Sequence, residues 1–143
     1  MNKPDHIIPA RTYQAVIIGI EPITHMNKES VDYNSYRWQF RIVKGKYTGR
    51  TPYGLTPQNT WARGSRHSRG RLTEWLDVLK GSPMTDEAIS KYANPSCPVP
   101  LEGLRAKYIN DTIWKIRIVN KKHNQNQCFV DYRVSSIISK VED

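Results

Sequence analysis

The chain has 143 residues, a net charge of +9 and fourteen aromatics: eight Tyr, four Trp and two Phe. That length is expected to make one domain with a real core, since chains near this size bury roughly two-thirds of their unfolded surface without disulfides or metal. A mean hydropathy of -0.66 and the lack of any apolar run near the roughly 18 residues of a membrane span argue against a helical membrane protein.

The opening MNKPDHIIPA has no apolar core of a signal peptide. Cys97 and Cys128 form no CxxC pair. A reducing, cytoplasmic setting is therefore expected.

Residues 1–8 are read as a loose start. RTYQAVIIGIEPI (Arg11–Ile23) is rich in β-branched residues and predicts a buried strand. A polar, turn-prone loop follows over 24–35. SYRWQFRIV (Ser35–Val43) alternates: Tyr36, Trp38, Phe40 and Ile42 share one face, and Arg37, Gln39 and Arg41 the other. Period two of this kind predicts a strand with one apolar and one basic side. KGKYTGR reads as a turn, and RTPYGLT as a third strand in which Pro52 argues for an edge or a bulge.

PQNTWARGSRHSRG is read as an exposed loop, flexible and basic over 60–71. The helix predicted next is GRLTEWLDVLK, with Leu72, Trp75, Leu76 and Leu79 on one stripe and Gly81 as its stop. A short second helix is expected over Thr85–Tyr92, with Thr85 as N-cap. Residues 94–100 form a proline-rich connector, and Leu101–Asn110 fits no single element. TIWKIRIVN (Thr112–Asn120) and CFVDYRVSSIIS (Cys128–Ser139) predict a closing hairpin across the polar turn KKHNQNQ.

This order, three strands, a helix and two strands, is the one expected of a mostly β OB-fold, a five-stranded barrel with a helix between its third and fourth strands. An α+β sandwich of other topology would give a similar string. In an OB-fold, ligand crosses the second and third strands between the first–second and fourth–fifth loops. Arg37, Arg41, Arg50 and Tyr53 fall on those strands, His25, Lys28, Tyr33 and Tyr36 in the first loop, and Lys121, Lys122 and His123 in the other.

Charge is concentrated. From Lys44 to Arg71 there are seven Lys or Arg and no Asp or Glu. Such a stretch points to a polyanion, most often nucleic acid, against the plainer reading of a solvated basic surface. Single strands expose phosphates, which Arg and Lys neutralise, and base faces, which aromatics stack on for about 1–3 kcal/mol per base. Trp61, Arg63, Arg66, Arg69 and Arg71 are therefore read as a clamp over the phosphate backbone, pivoting on Gly64 and Gly70. Trp38, Phe40 and Trp75 read as core, while the strand periodicity leaves Trp114 open because Ile113 opposes it. Tyr33, Tyr53 and Trp61 lie in polar, basic surroundings that suit stacking.

No catalytic constellation emerges. The acids are scattered, His6, His25, His67 and His123 show no metal-ligand spacing, and no GxxxxGK[ST] is present. A non-enzymatic protein without cofactor or metal is expected.

IPARTYQAVIIGIEP, YRWQFRIVKGKYTGR and GRLTEWLDVLKG resemble stretches of the small single-stranded-DNA-binding proteins of tailed bacteriophages and prophages. The matching positions are Pro9, Tyr13 and Glu21; Trp38, Phe40 and Ile42; Gly45, Tyr47, Gly49 and Arg50; and Leu72, Leu76 and Leu79, chiefly within residues 8–81. The resemblance implies an OB-fold that coats single strands in phage DNA replication or recombination, without cofactor, in the host cytoplasm. Arg11 stands where the family tends to have Gly, and SSIISKVED ends in only two acids, where such proteins often carry a longer acidic tail that recruits partner enzymes. Homo-oligomers and replication or recombination proteins are candidate partners. RNA binding, a small basic metal-dependent nuclease or junction-processing enzyme, and an assembly protein with a basic face are the rival readings.

Overall fold

The computed structural model describes residues 7–24, 34–60, 69–94, 96–109, 112–122 and 130–141. Alternating apolar residues build β1 (Thr12–Thr24), β2 (Asn34–Ile42), β3 (Tyr53–Pro57), β4 (Ile113–Lys122) and β5 (Val130–Lys140). Three helices, α1 (Arg71–Lys80), α2 (Asp86–Ala93) and α3 (Leu101–Tyr108), lie between β3 and β4. The fold is mostly β: one sheet in the order β3-β2-β1-β4-β5, each strand antiparallel to its neighbours.

Register gives the sheet its two faces. Ala15, Ile17 and Ile20 of β1 oppose Ile42, Phe40 and Trp38 of β2, and all six are buried. Across β1, Trp114 and Ile116 continue the same inner face on β4, followed by Val134 and Ile137 on β5. Trp114 is 2% exposed and Ile113 36%, so the register settles the ambiguity of that strand in favour of the indole. Its Nε1 finds no hydrogen-bond partner among the described residues. The sequence puts Tyr36 both on the apolar face of the second strand and in the first–second loop; it lies in β2 at 2% exposure, because period two from Trp38 turns it inward. Ile7 and Ile8 are also buried, so the packed chain begins before β1.

α1 covers the inner face. Trp75 sits edge-on to Trp38 and Phe40, with ring centroids 5.2 and 6.0 Å away. Such aromatic pairs are worth about 0.5–1.5 kcal/mol each beyond area burial. Gly81 stops the helix, its N–H reaching the Asp77 carbonyl at 2.9 Å and that of Val78 at 3.2 Å. The same helix touches both edge strands, β3 and β5. There Gly54 faces Val134: a Cβ on Gly54 would meet the Val134 carbonyl oxygen at 2.6 Å and the Trp75 Cη2 at 2.7 Å. Only a glycine admits so close an approach.

β1 pairs with β2 along almost its whole length but with β4 only over Thr12–Val16. Its register slips between Ile17 and Gly19, a bulge that bends the strand. Beyond Val16 the uncovered edge is met by α3: Ile17 bridges Ile109, and Arg105 donates to the Ile20 carbonyl from Nε at 2.9 Å and Nη2 at 2.6 Å. An edge strand left bare would invite pairing with another chain, and this cover removes the open carbonyl. α3 lies within the stretch whose sequence fits no single element. Pro100 at its start supplies no side-chain cap and Gly103 interrupts it, so tertiary contacts hold it rather than local propensity. α2 matches expectation, with the Thr85 hydroxyl accepting from Ala88 N at 3.1 Å.

Candidate functional site

The outer face of the sheet carries the charge. Arg37 and Arg41 project from β2 opposite the buried side chains, and both are exposed. Gln39 stands between them and pairs with Tyr53 of β3. The guanidinium carbon of Arg37 lies 4.6 Å from the Tyr53 ring centroid. That of Arg133, from β5, lies 5.5 Å from the same centroid. Two guanidinium groups, one from the neighbouring strand β2 and one from β5 at the far end of the sheet order, thus meet one tyrosine, and the approach of β3 to β5 makes this geometry. Guanidinium groups are planar and attracted to ring faces, and each offers a further flat surface on which a base can stack. Glu21, opposite Arg37 on β1, is an acid on this face; its carboxylate accepts from Arg105 at 3.3 Å.

Arg50 extends the site along the β2–β3 hairpin. Its Nη2 lies 3.4 Å from the Tyr132 hydroxyl. The hairpin is tightly built: Ile42 N donates to Arg50 O and Phe40 N to Pro52 O, both at 2.9 Å. Gly45 and Gly49 both take φ of 93°, which a side chain would oppose. Arg71 starts α1, exposed, with Nη1 3.4 Å from the Leu55 carbonyl.

The feet of the basic loop are fixed. Gly70 N donates to Thr60 O at 3.0 Å, the Thr73 hydroxyl donates to that same carbonyl, and Thr60 Oγ1 donates to Ile89 O at 2.6 Å. Arg69 closes the loop from within. Its Nη2 pairs with the Asp77 carboxylate and its Nη1 donates to Met84 O at 3.2 Å, while the other Asp77 oxygen takes Met84 N at 2.8 Å. Arg69 is therefore held to α1, and its charge, expected on the clamp, is compensated by Asp77. Of the residues expected to bind, Arg37 and Arg41 lie on β2, Tyr53 on β3 and Arg71 at the start of α1, while Arg50, expected on the third strand, lies in the β2–β3 connection because β3 begins only at Tyr53. Tyr33, Trp61, Arg63 and Arg66 lie outside the described residues. Lys121 and Lys122 belong to β4, in register with Asp131 and Val130.

Sequence reasoning missed Arg133, although its position in β5 carries a signal: it alternates with Val134, which turns inward. Lys115 and Arg117 were read as outward on the fourth strand and are exposed there.

Burial pushes the Tyr36 phenol above its ordinary pKa. The Tyr13 phenol is raised for the same reason, with the Arg11 guanidinium pulling the other way and Tyr47 adding to the rise. No group of three or more His, Cys, Asp or Glu able to hold a metal ion occurs among the described residues, and no described helix is long and apolar enough to cross a membrane.

Compared with family models, with curated proteins and with solved structures, the chain matches none.

Proposed function

We propose that this chain binds single-stranded DNA without chemistry of its own, on an OB-type barrel, in the manner of the phage proteins its sequence resembles. The observation that carries the reading is Tyr53 beside Arg37 and Arg133 on the outer sheet face. Stacking surface and phosphate-neutralising charge meet there at one spot, which is what an unpaired strand requires. The strand order β3-β2-β1-β4-β5, with the edges β3 and β5 brought together under α1, supports the barrel as the frame. Arg41 adds charge to the same face, Arg50 and Arg71 stand on the adjoining hairpin and at the start of α1, and Thr60 and Gly70, which bracket Trp61, Arg63 and Arg66 in the sequence, are hydrogen-bonded to each other. Coating of strands during phage-type replication or recombination, in the host cytoplasm, is the role this implies.

The test is fluorescence anisotropy with labelled single-stranded and duplex DNA of equal length, from low to physiological salt, with unlabelled RNA as competitor and Mg²⁺ present in one arm. A clear single-strand preference is expected. If about five phosphates are neutralised, log K against log[salt] should slope near −3.5, at roughly −0.7 per phosphate. Replacing Tyr53 and Arg37 together by Ala should weaken binding about 10- to 100-fold, the loss of one stacked base. Equal affinity for duplex, or a slope near zero, refutes the reading. RNA that displaces DNA at lower concentration reassigns the ligand, and Mg²⁺-dependent cleavage makes the protein a nuclease.

A further inference from the structure

A second basic feature lies apart from Tyr53. The start of β1, the β2–β3 turn, β4 and the end of β5 enclose an open cleft of about 730 Å³. Its rim carries Arg11, Lys44, Lys46, Lys115 and Lys140, all exposed, and no acid lines it among the described residues. Tyr13 and Tyr47 lie between them, edge to face with centroids 6.0 Å apart.

The walls are anchored. Val43 N donates to Gln14 O at 2.9 Å, tying the turn to β1, and Val141 N donates to Ile113 O at 2.9 Å, tying the end of β5 to β4. The Thr48 hydroxyl donates to Gly45 O at 2.6 Å within the turn, and the Tyr13 hydroxyl to Pro9 O at 2.7 Å. Five cations around one concavity favour an anion within it, and its walls focus their field into it.

The cleft also continues the outer face. Arg41 opposes Val16, and two residues back along β1 Gln14 opposes Lys115. Two strand residues span only about 7 Å. A strand laid across Tyr53, Arg37 and Arg41 therefore meets the cleft at its next step.

We infer that this cleft is a second segment of the nucleic-acid path, one that holds the sugar–phosphate backbone of the strand beyond Arg41. The inference rests on the single-strand reading above. It divides the path into a stacking segment at Tyr53 and a mainly ionic segment in the cleft. Short strands fill the first alone, and longer ones engage both.

The experiment compares the wild type with a cleft variant (Lys44→Ala, Lys115→Ala, Lys140→Ala) and a charge-matched control on the helices (Lys80→Ala, Lys91→Ala, Lys107→Ala). All six lysines are exposed, and circular dichroism checks that the fold is kept. Anisotropy is measured with oligothymidylates from about 4 to about 20 nucleotides, bracketing the site sizes of single OB-folds. The cleft variant should match the wild type on the shortest strands and lose about tenfold or more on the longest. Its salt slope there should be shallower by up to about 2, from three phosphates at roughly 0.7 each. The control should change little at any length. A cleft variant equal to wild type at every length, or weakened equally at every length, overturns the cleft while leaving the Tyr53 face standing. Failure of the wild type to bind any strand overturns both.

Discussion

Gly54→Ala tests the approach of the two sheet edges, on which the frame of the site depends. Alanine in place of a strand glycine ordinarily gains about 0.4–1 kcal/mol, because the unfolded chain loses freedom. Here the added methyl carbon would stand 2.6 Å from the Val134 carbonyl oxygen, 2.7 Å from Trp75 Cη2 and 3.1 Å from Val134 Cβ. The first of these is backbone and the second a ring wedged against Trp38 and Phe40, so neither yields cheaply. Overpacking of this kind costs about 1–3 kcal/mol, which outweighs the entropic gain and reverses its sign. Gly103→Ala is the internal control: it lies in α3 with nothing within 4 Å of the added carbon, and should stabilise by about 0.5–1 kcal/mol. Urea denaturation reads both, as shifts of the midpoint at unchanged slope. A neutral or stabilising Gly54→Ala would mean that β3 and β5 do not meet, and with that the flanking of Tyr53 by Arg133 would fall.

The two inward tryptophans of the sheet should respond differently to the same change. The Trp38 Nε1 donates to Thr56 Oγ1 at 3.0 Å in the core, so Trp38→Phe strands a buried hydroxyl as well as opening space. Trp114→Phe removes an indole N–H that has no partner among the described residues, so it should cost about 1–3 kcal/mol less than Trp38→Phe in paired denaturation curves; equal costs would refute this accounting. Alkaline pH should also loosen the fold. The phenols of Tyr13 and Tyr36 are raised in the native state, so the unfolded chain gives up their protons first. Their contribution is complete below the ordinary tyrosine value of 10.0 and is lost as pH rises through the higher native values. Thermal midpoints measured across that range, with absorbance of the phenolate as the direct readout, should fall together; a midpoint that stays level while the phenolate forms would contradict the burial.

The run of seven cations and no acid from Lys44 to Arg71 shows where local pattern stops informing. In the fold the described cations of that run part company. Lys44 and Lys46 line the cleft, Arg50 meets Tyr132, Arg71 lies at the Leu55 carbonyl, and Arg69 is taken up by Asp77. Charge counted along the chain says nothing about which carboxylate will fold back to meet it.

What the sequence by itself determined is whatever a short window can carry. Alternation in YRWQFRI set which side chains of β2 face inward and which arginines face out, since successive strand residues point to opposite sides whatever the strand pairs with. Spacing of Leu72, Trp75, Leu76 and Leu79 did the same for α1, and Gly81 marked its end. Only the tertiary structure decided that Arg133 would reach Tyr53, that Arg105 would cover the Ile20 carbonyl, and that Arg11, Lys115 and Lys140 would share a cleft with the β2–β3 turn. Each of these joins residues from separate elements, and depends on register, on the bulge in β1 and on the meeting of two sheet edges. Those are properties of how strands pair and bend, and no window of sequence short enough to show a period contains them.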